Sequence, residues 1–313
     1  MTELQWTVVA GATIVLLGVL VANFRDWSRA KKRITHSAAA IEEPLLASVP
    51  VERIIEGVLP SEISEAIAIL EWQLPASVAK LQQELRGWRH VGSKPLAFGW
   101  VSRPGELAQA QPQTPEVFAL QVGLLLATRS GPLHAMEYSE WQEQLGRIAG
   151  ALGARLTVPS MSDVLSQARQ LDQRCAEVDA QLTLAVTSAE ILSAAKIASA
   201  ASAAGLESRG ESRFAKGPLH QQRFSVFPGE SGASLILMLD VPRTAAPADA
   251  FREMIATAEV LASVLDAHVT DEAGHRLFAQ NFEAIAAQVA DKEQRLLAMG
   301  ITPGAPMAQR LFL

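Results

Sequence analysis

Residues 234–241 read SLILMLDV and are followed directly by Pro242. A short apolar run that ends at a proline predicts a buried β-strand, because proline cannot continue the hydrogen-bond ladder. Successive side chains of a strand point to opposite faces, so the three leucines lie on one face and Ile236 and Met238 on the other. With few helices nearby, only one face can be covered. The second face is expected to be apolar and open.

The residues around this strand predict a β-α-β-β-β-α-β-α order over residues 177–300. A helix begins near Pro247, because apolar residues recur at helical spacing from there: Phe251, Met254, Ala258, Leu261 and Leu265. A short strand at 267–270 and a last helix follow. The pattern indicates an α+β fold of the split β-α-β type, with an antiparallel sheet covered by helices on one face.

Residues 86–176 predict a second, middle α+β domain. Strands are expected at 94–101 and 117–128, and helices at about 134–152 and 162–178. Shifting the chain by 113 positions overlays LQVGLLLA at 120–127 on ASLILMLD at 233–240. The middle domain could therefore be a partial repeat of the C-terminal one, or merely another strand–helix unit of similar length.

The N-terminal part of the chain predicts a membrane anchor. Residues 6–24 read WTVVAGATIVLLGVLVANF, which carries no charge and is long enough to cross a bilayer as a helix. Residues 1–5 contain no basic residue, whereas a basic run follows the apolar stretch: Arg25, Arg29, Lys31, Lys32 and Arg33. By the positive-inside rule, residues 1–5 lie outside and the body is cytoplasmic.

Residues 25–85 are interpreted as a juxtamembrane run and tether. Prolines punctuate this stretch, and a short helix is expected over Ser61–Trp72 because Ile63, Ile67 and Leu70 share one helical face. Residues 301–313 form a C-terminal tail that is apolar and basic, and that could fold back onto a sheet face.

No pattern in the sequence indicates catalysis, a cofactor or a metal. The six histidines are scattered, and Cys175 is the only cysteine. The S-x-x-K match at Ser193 lacks the companion motifs of penicillin-recognising enzymes. A net charge of −6 does not suit a nucleic-acid-binding protein. The sequence therefore predicts a non-enzymatic binding protein without catalytic residues or metal ligands.

The overall plan resembles the ZipA family of bacterial cell-division proteins. The residues that carry the resemblance are the strand ending in Val241-Pro242, the helix opened by Phe251, and VLDAHVTD at 264–271 before a final helix. The motif Phe227-Pro228-Gly229 also follows a strand, where the family has K-P-G. The resemblance covers about 120 C-terminal residues plus the anchor.

The resemblance implies binding of the C-terminal tail peptide of the tubulin-like protein FtsZ in an apolar groove on the open sheet face. Carried over by position, the groove residues are Ser212, Phe214, Ser225, Phe227, Ile236 and Met238. The family would tether FtsZ filaments to the inner membrane at the division septum during septation. The alternative is a membrane-tethered structural scaffold or dimerisation module that does not bind FtsZ. A homo-oligomer is compatible with either interpretation.

Overall fold

The structure is a computed structural model, and it describes residues 58–313. These residues form a first lobe (58–178), a second lobe (179–300) and a C-terminal tail (301–313). The predicted membrane segment at 6–24 and the basic residues that follow it lie outside the described residues. Within residues 58–313, no helix is long and apolar enough to span a bilayer.

The first lobe is a five-stranded antiparallel sheet with two long helices and one short one. Its strands are β1 (Glu65–Ser77), β2 (His90–Val91), β3 (Lys94–Val101), β4 (Glu116–Leu125) and β7 (Arg155–Thr157), with a small hairpin of β5 (Ala127–Thr128) and β6 (Gly131–Pro132). Its helices are α1 (Val78–Glu84), α2 (Ala135–Leu152) and α3 (Met161–Val178). The strand order is β2-β3-β4-β1-β7.

The core of the first lobe lies between the sheet and these helices. Strand β4 contributes Leu120, Val122 and Leu124, which are all fully buried, at the period of two that a strand requires. Helix α2 presents an apolar stripe that includes Trp141 and Leu145, also fully buried. The predicted strand at 94–101 and the predicted helices at 134–152 and 162–178 are confirmed within one residue.

The prediction of a helix over Ser61–Trp72 is wrong. Residues 65–77 form strand β1, which pairs with β4 on one side and β7 on the other. Ala66, Ala68, Leu70 and Trp72 alternate along this strand and are buried. Residues 65–84 thus belong to the first lobe. The predicted tether cannot extend to residue 85, because β1 is one of the inner strands of the first lobe's sheet.

The second lobe has a six-stranded antiparallel sheet. Its strands are β8 (Gln181–Ser188), β9 (Glu207–Gly210), β10 (Arg213–Lys216), β11 (Phe224–Pro228), β12 (Ser234–Asp240) and β13 (Ala267–Thr270). Its helices are α4 (Ala194–Ala203), α5 (Pro247–Leu265) and α6 (Ala279–Ala298). The strand order is β13-β8-β12-β11-β10-β9. Helix α5 packs on this sheet through Phe251, Met254 and Leu261, which are fully buried.

The two lobes have the same order of elements along the chain and across the sheet. Read from one edge, β7-β1-β4-β3-β2 corresponds to β13-β8-β12-β11-β10, and all pairings are antiparallel. Helix α2 begins and ends within one residue of the position that the shift of 113 predicts from α5. The unit of topology common to both lobes is larger than the sequence overlay suggested, because β1 and α1 supply its first strand and helix in the first lobe.

Candidate peptide-binding face

The second lobe presents one face of its sheet to its helices, and no helix of residues 58–313 covers the other face. On β12, Leu235, Leu237 and Leu239 are fully buried against α5 and its neighbours, whereas Ile236 and Met238 are partly exposed. The alternation predicted from the sequence is thus the alternation in the structure. We call the side that carries Ile236 and Met238 the open face.

Strand β11 adds two of the predicted residues to the open face. In the antiparallel register, Ser225 lies opposite Met238 and Phe227 lies opposite Ile236. Directly opposed residues of an antiparallel pair share a face, so these four side chains form one patch. All four are partly exposed. The patch is mostly apolar, with Ser225 as its polar member.

Phe214 does not lie on the open face. It pairs with Val226, which is fully buried on the helix side, and Phe214 itself is part of that core. The sequence assignment assumed a register that differs by one residue, and a shift of one residue moves a strand's side chains to the other face. The neighbouring Ala215 is the residue that lies opposite Ser225.

Ser212 lies in the turn between β9 and β10 rather than in a strand. Its φ is 59°, and that of Glu211 is 49°, so both residues adopt the left-handed conformation. Such a turn usually uses glycine or asparagine, whereas this one has glutamate and serine. Ser212 is therefore not brought together with the patch formed by β11 and β12.

Sequence reasoning missed the contribution of β8 to the open face. Ala185 lies opposite Ile236, and Thr183 lies opposite Met238. Thr270 of β13 lies opposite Ala185 and is buried. Leu182, Leu184 and Val186 alternate in the sequence of this strand, and the residues between them could have been assigned to the open face by the same rule.

Arg129 of the first lobe lies at the end of β12, where it binds Asp240. Its guanidinium donates to both carboxylate oxygens of Asp179 at 2.9 and 2.6 Å, and to those of Asp240 at 2.7 and 2.9 Å. Burial lowers the pKa of Arg129, but the hydrogen bonds and charges of the two aspartates outweigh it, so the net pKa is raised. The side chain is thus a permanent cation that joins the two lobes beside the end of β12.

The remaining reactive side chains do not form a catalytic arrangement with the open face. Cys175 is buried in α3, and burial raises the pKa of its thiol to about 12, so it is protonated at neutral pH. Within residues 58–313, no three histidine, cysteine or acidic side chains are grouped closely enough to hold a metal ion. The open face offers partly exposed apolar side chains and the hydroxyl of Ser225, which is the chemistry of a binding surface.

Part of the second lobe matches the model of a known protein family. Residues 212–288 match the family model of the ZipA C-terminal FtsZ-binding domain. The match begins at the turn before β10 and ends within α6, so it includes β11, β12 and α5. No curated protein matches the chain significantly. The second lobe is therefore similar to the FtsZ-binding domain of the ZipA family.

Proposed function

We propose that this chain is a membrane-anchored adaptor of the division machinery that binds the C-terminal tail of FtsZ on the open face of its second lobe. The observation that supports this most is the partly exposed patch of Phe227, Ile236 and Met238 inside the residues that match the FtsZ-binding family. The adaptor has no enzymatic activity, and its groove is the patch formed by Ser225, Phe227, Ile236 and Met238.

The patch suits a flexible peptide better than a rigid protein surface. Phe227 offers a flat aromatic surface, and the unbranched side chain of Met238 adapts its shape to a ligand. Ordering a flexible tail costs conformational entropy, so the affinity of one site is expected to be moderate. Many copies held on one surface opposite a polymer would compensate through a raised effective concentration.

The membrane part of the proposal is supported by the sequence at 6–24. An uncharged apolar stretch followed by five basic residues is typical of a single-pass inner-membrane protein with its N-terminus outside. The second lobe would then be cytoplasmic, where FtsZ polymerises, and the protein would concentrate at the septum. The anchor would hold the lobes close to the inner membrane.

A calorimetric titration tests the proposal. The full-length chain in a mild detergent is titrated with a peptide of the FtsZ C-terminal tail, and saturable binding is expected. Met238→Lys should abolish binding, because it places a charge in the apolar patch. Met136→Lys is the matched control, since Met136 is 85% exposed on α2 of the first lobe and distant in sequence from the patch.

Each outcome of the titration separates the adaptor from its alternative. Loss of binding with Met238→Lys but not with Met136→Lys supports the groove. A folded chain that does not bind the peptide contradicts the adaptor and favours the membrane-tethered scaffold or dimerisation module. Sedimentation of the same sample would then show whether two copies associate.

A further inference from the structure

The internal repeat assigns each residue of the open face a counterpart in the first lobe. Gly123 and Leu125 lie 113 positions before Ile236 and Met238. Leu125 is paired with Glu65, just as Met238 is paired with Thr183. Because Leu96 pairs with Leu124, Pro95 lies next to Leu125, where the second lobe has Ser225. We call Glu65, Pro95, Gly123 and Leu125 the counterpart face.

The counterpart face is covered by the chain's own C-terminal tail. The tail contains the short helix α7 (Pro306–Leu311), and Arg310 of this helix forms an ion pair with Glu65. The other amino group of the same guanidinium lies 3.4 Å from the carbonyl oxygen of Pro95. Both charged side chains are only 1% exposed. The tail thus meets the row that corresponds to Thr183, Met238 and Ser225 in the second lobe.

Apolar side chains of the tail pack into the first lobe. Ala308, Leu311 and Phe312 are buried and belong to its hydrophobic core, the cluster that also includes Leu125 and Ala127. The guanidinium of Arg129 lies 5.8 Å from the centroid of the Phe312 ring, within the range of a cation–π contact. An arginine anchor flanked by buried Leu and Phe side chains is how a short helical peptide is held in a protein groove.

The rest of the counterpart face is occupied by residues before β1. A Cβ added to Gly123 would come within 2.9 Å of Pro60, and one added to Gly99 would come within 3.3 Å of it. Small residues on this face therefore let Pro60 approach the sheet closely. Only the end of the face near Glu65 and Leu125 is left for the tail.

We propose that the first lobe is a peptide-binding module whose ligand is residues 303–313 of this same chain, bound in cis at the site that corresponds to the open face of the second lobe. The second lobe adds hydrogen bonds to this tail, since the nitrogen of Gly304 donates to the carbonyl oxygen of Pro242 at 3.0 Å and Arg243 Nε donates to Gln309 Oε1 at 3.0 Å. The specificity of the module comes from an arginine that reaches Glu65 and from two apolar side chains that follow it. The linkage keeps the tail at a high effective concentration, so a free peptide reaches the site only when the tail is released. The proposal does not depend on FtsZ binding.

A cleavable tail tests this proposal, because the chain folds with all of its residues before the tail is cut and dialysed away. A protease recognition sequence is inserted after Thr302, which is exposed, and the full-length protein is purified intact and then cut. A fluorescent peptide of residues 303–313 is titrated before and after cleavage, and its anisotropy is followed. We expect no uptake before cleavage, and saturable uptake of one peptide per chain after cleavage and dialysis.

Two peptide variants identify the contact that carries the binding. The Arg310→Ala peptide should bind at least about thirtyfold more weakly, which is the lower range for truncating one member of a buried charge pair. The Pro306→Ala peptide is the control, because Pro306 is exposed, and it should bind nearly as well as the unmodified peptide.

Three results would overturn the proposal. The cut chain could keep its circular dichroism and take up no peptide. Alternatively, the first lobe could lose its fold when the tail leaves, which would make the tail a fixed part of the core. The Arg310→Ala peptide could also bind as well as the unmodified one. The cut chain is also titrated with the FtsZ peptide, whose expected site is the patch on β11 and β12. Failure of one proposal can therefore be distinguished from failure of the other.

Discussion

Glu65 and Arg310 form a buried ion pair whose two members are unequally supported, and this inequality predicts the size of two mutational effects. The Glu65 carboxylate also accepts hydrogen bonds from the backbone nitrogen of Ser61 at 2.6 Å and from Ser64 Oγ at 2.8 Å. Beyond the ion pair, the hydrogen bond to the Pro95 carbonyl at 3.4 Å is the one that the guanidinium of Arg310 makes within the described part of the chain. Its Nε has no partner among residues 58–313.

Breaking a buried ion pair by removing one member costs about 3–5 kcal/mol, because a charge is left buried without compensation. Glu65→Leu leaves the guanidinium with one long hydrogen bond, so its cost should lie near the upper end of that range. Arg310→Met leaves a carboxylate that keeps two short hydrogen bonds, so its cost should lie near the lower end. The expected order is therefore Glu65→Leu more destabilising than Arg310→Met.

The assay is urea unfolding of the full-length variants followed by circular dichroism, with hydrogen exchange to assign the loss to the first lobe. The control is Arg103→Met, because Arg103 is 79% exposed and pairs with Glu106 at 3.8 Å. An exposed pair of this kind contributes at most about 1 kcal/mol. The reasoning fails if Glu65→Leu costs no more than the control, or if Arg310→Met is the more destabilising of the two.

Two further predictions concern the second lobe and Cys175. Phe214→Ala should cost about 3–5 kcal/mol of unfolding free energy because it empties a core position, whereas Phe227→Ala should cost far less because Phe227 is partly exposed; equal costs in urea unfolding would contradict the register. Cys175 should react with a maleimide far more slowly in the native chain than in urea. The pKa of the Cys175 thiol rises from 9.0 in the unfolded chain to about 12 in the fold, so its contribution to stability should be lost as pH rises from about 9 towards 12. Urea unfolding of the Cys175→Ala variant across the same pH range would isolate this contribution.

The sequence predicted the elements with strong periodic signals and failed where the signal was carried by small residues. Helix α2 was found because Trp141 and Leu145 are large apolar residues at helical spacing. Strand β1 was predicted to be a helix because Ile63, Ile67 and Leu70 fit a helical spacing. In the structure, the buried face of this strand is built partly from Ala66 and Ala68, while Ile67 is only partly buried. Alanine has a high helix propensity, and only the tertiary sheet context overrides it.

Only part of the open face was predicted from the sequence, because alternation within a strand is visible there, whereas the register between strands is not. Ile236 and Met238 follow from alternation within one strand, so no knowledge of the neighbours was needed. The face of Phe214 depends on the turn of Gly210, Glu211 and Ser212, all with positive φ, and on the irregular register between Arg213 and Phe214 that follows it. Register between strands is decided by such turns, and a single-residue error exchanges the two faces.

The contact of the tail could not be derived from local sequence. Arg310 and Glu65 are 245 residues apart, and an arginine near a chain end is ordinarily a solvated residue. Its burial makes sense only once β1 is placed at the centre of the first lobe. The error on β1 and the missed site for the tail therefore have one cause, because the strand that was taken for a tether carries the partner of Arg310.

The two lobes use the same sheet in opposite ways, and the side chains on that face explain the difference. The first lobe has Gly123 and Ala97 where the second has Ile236 and Phe227. Small residues allow the chain's own backbone to approach the sheet, so the face becomes filled from within the molecule. Large apolar residues instead stand out from the sheet and remain partly exposed, which costs solubility unless another molecule covers them. Two lobes of the same topology, one with this face filled in cis and the other with it partly exposed, are the arrangement that our two proposals require of a protein that holds its own tail on one lobe and binds a second peptide on the other.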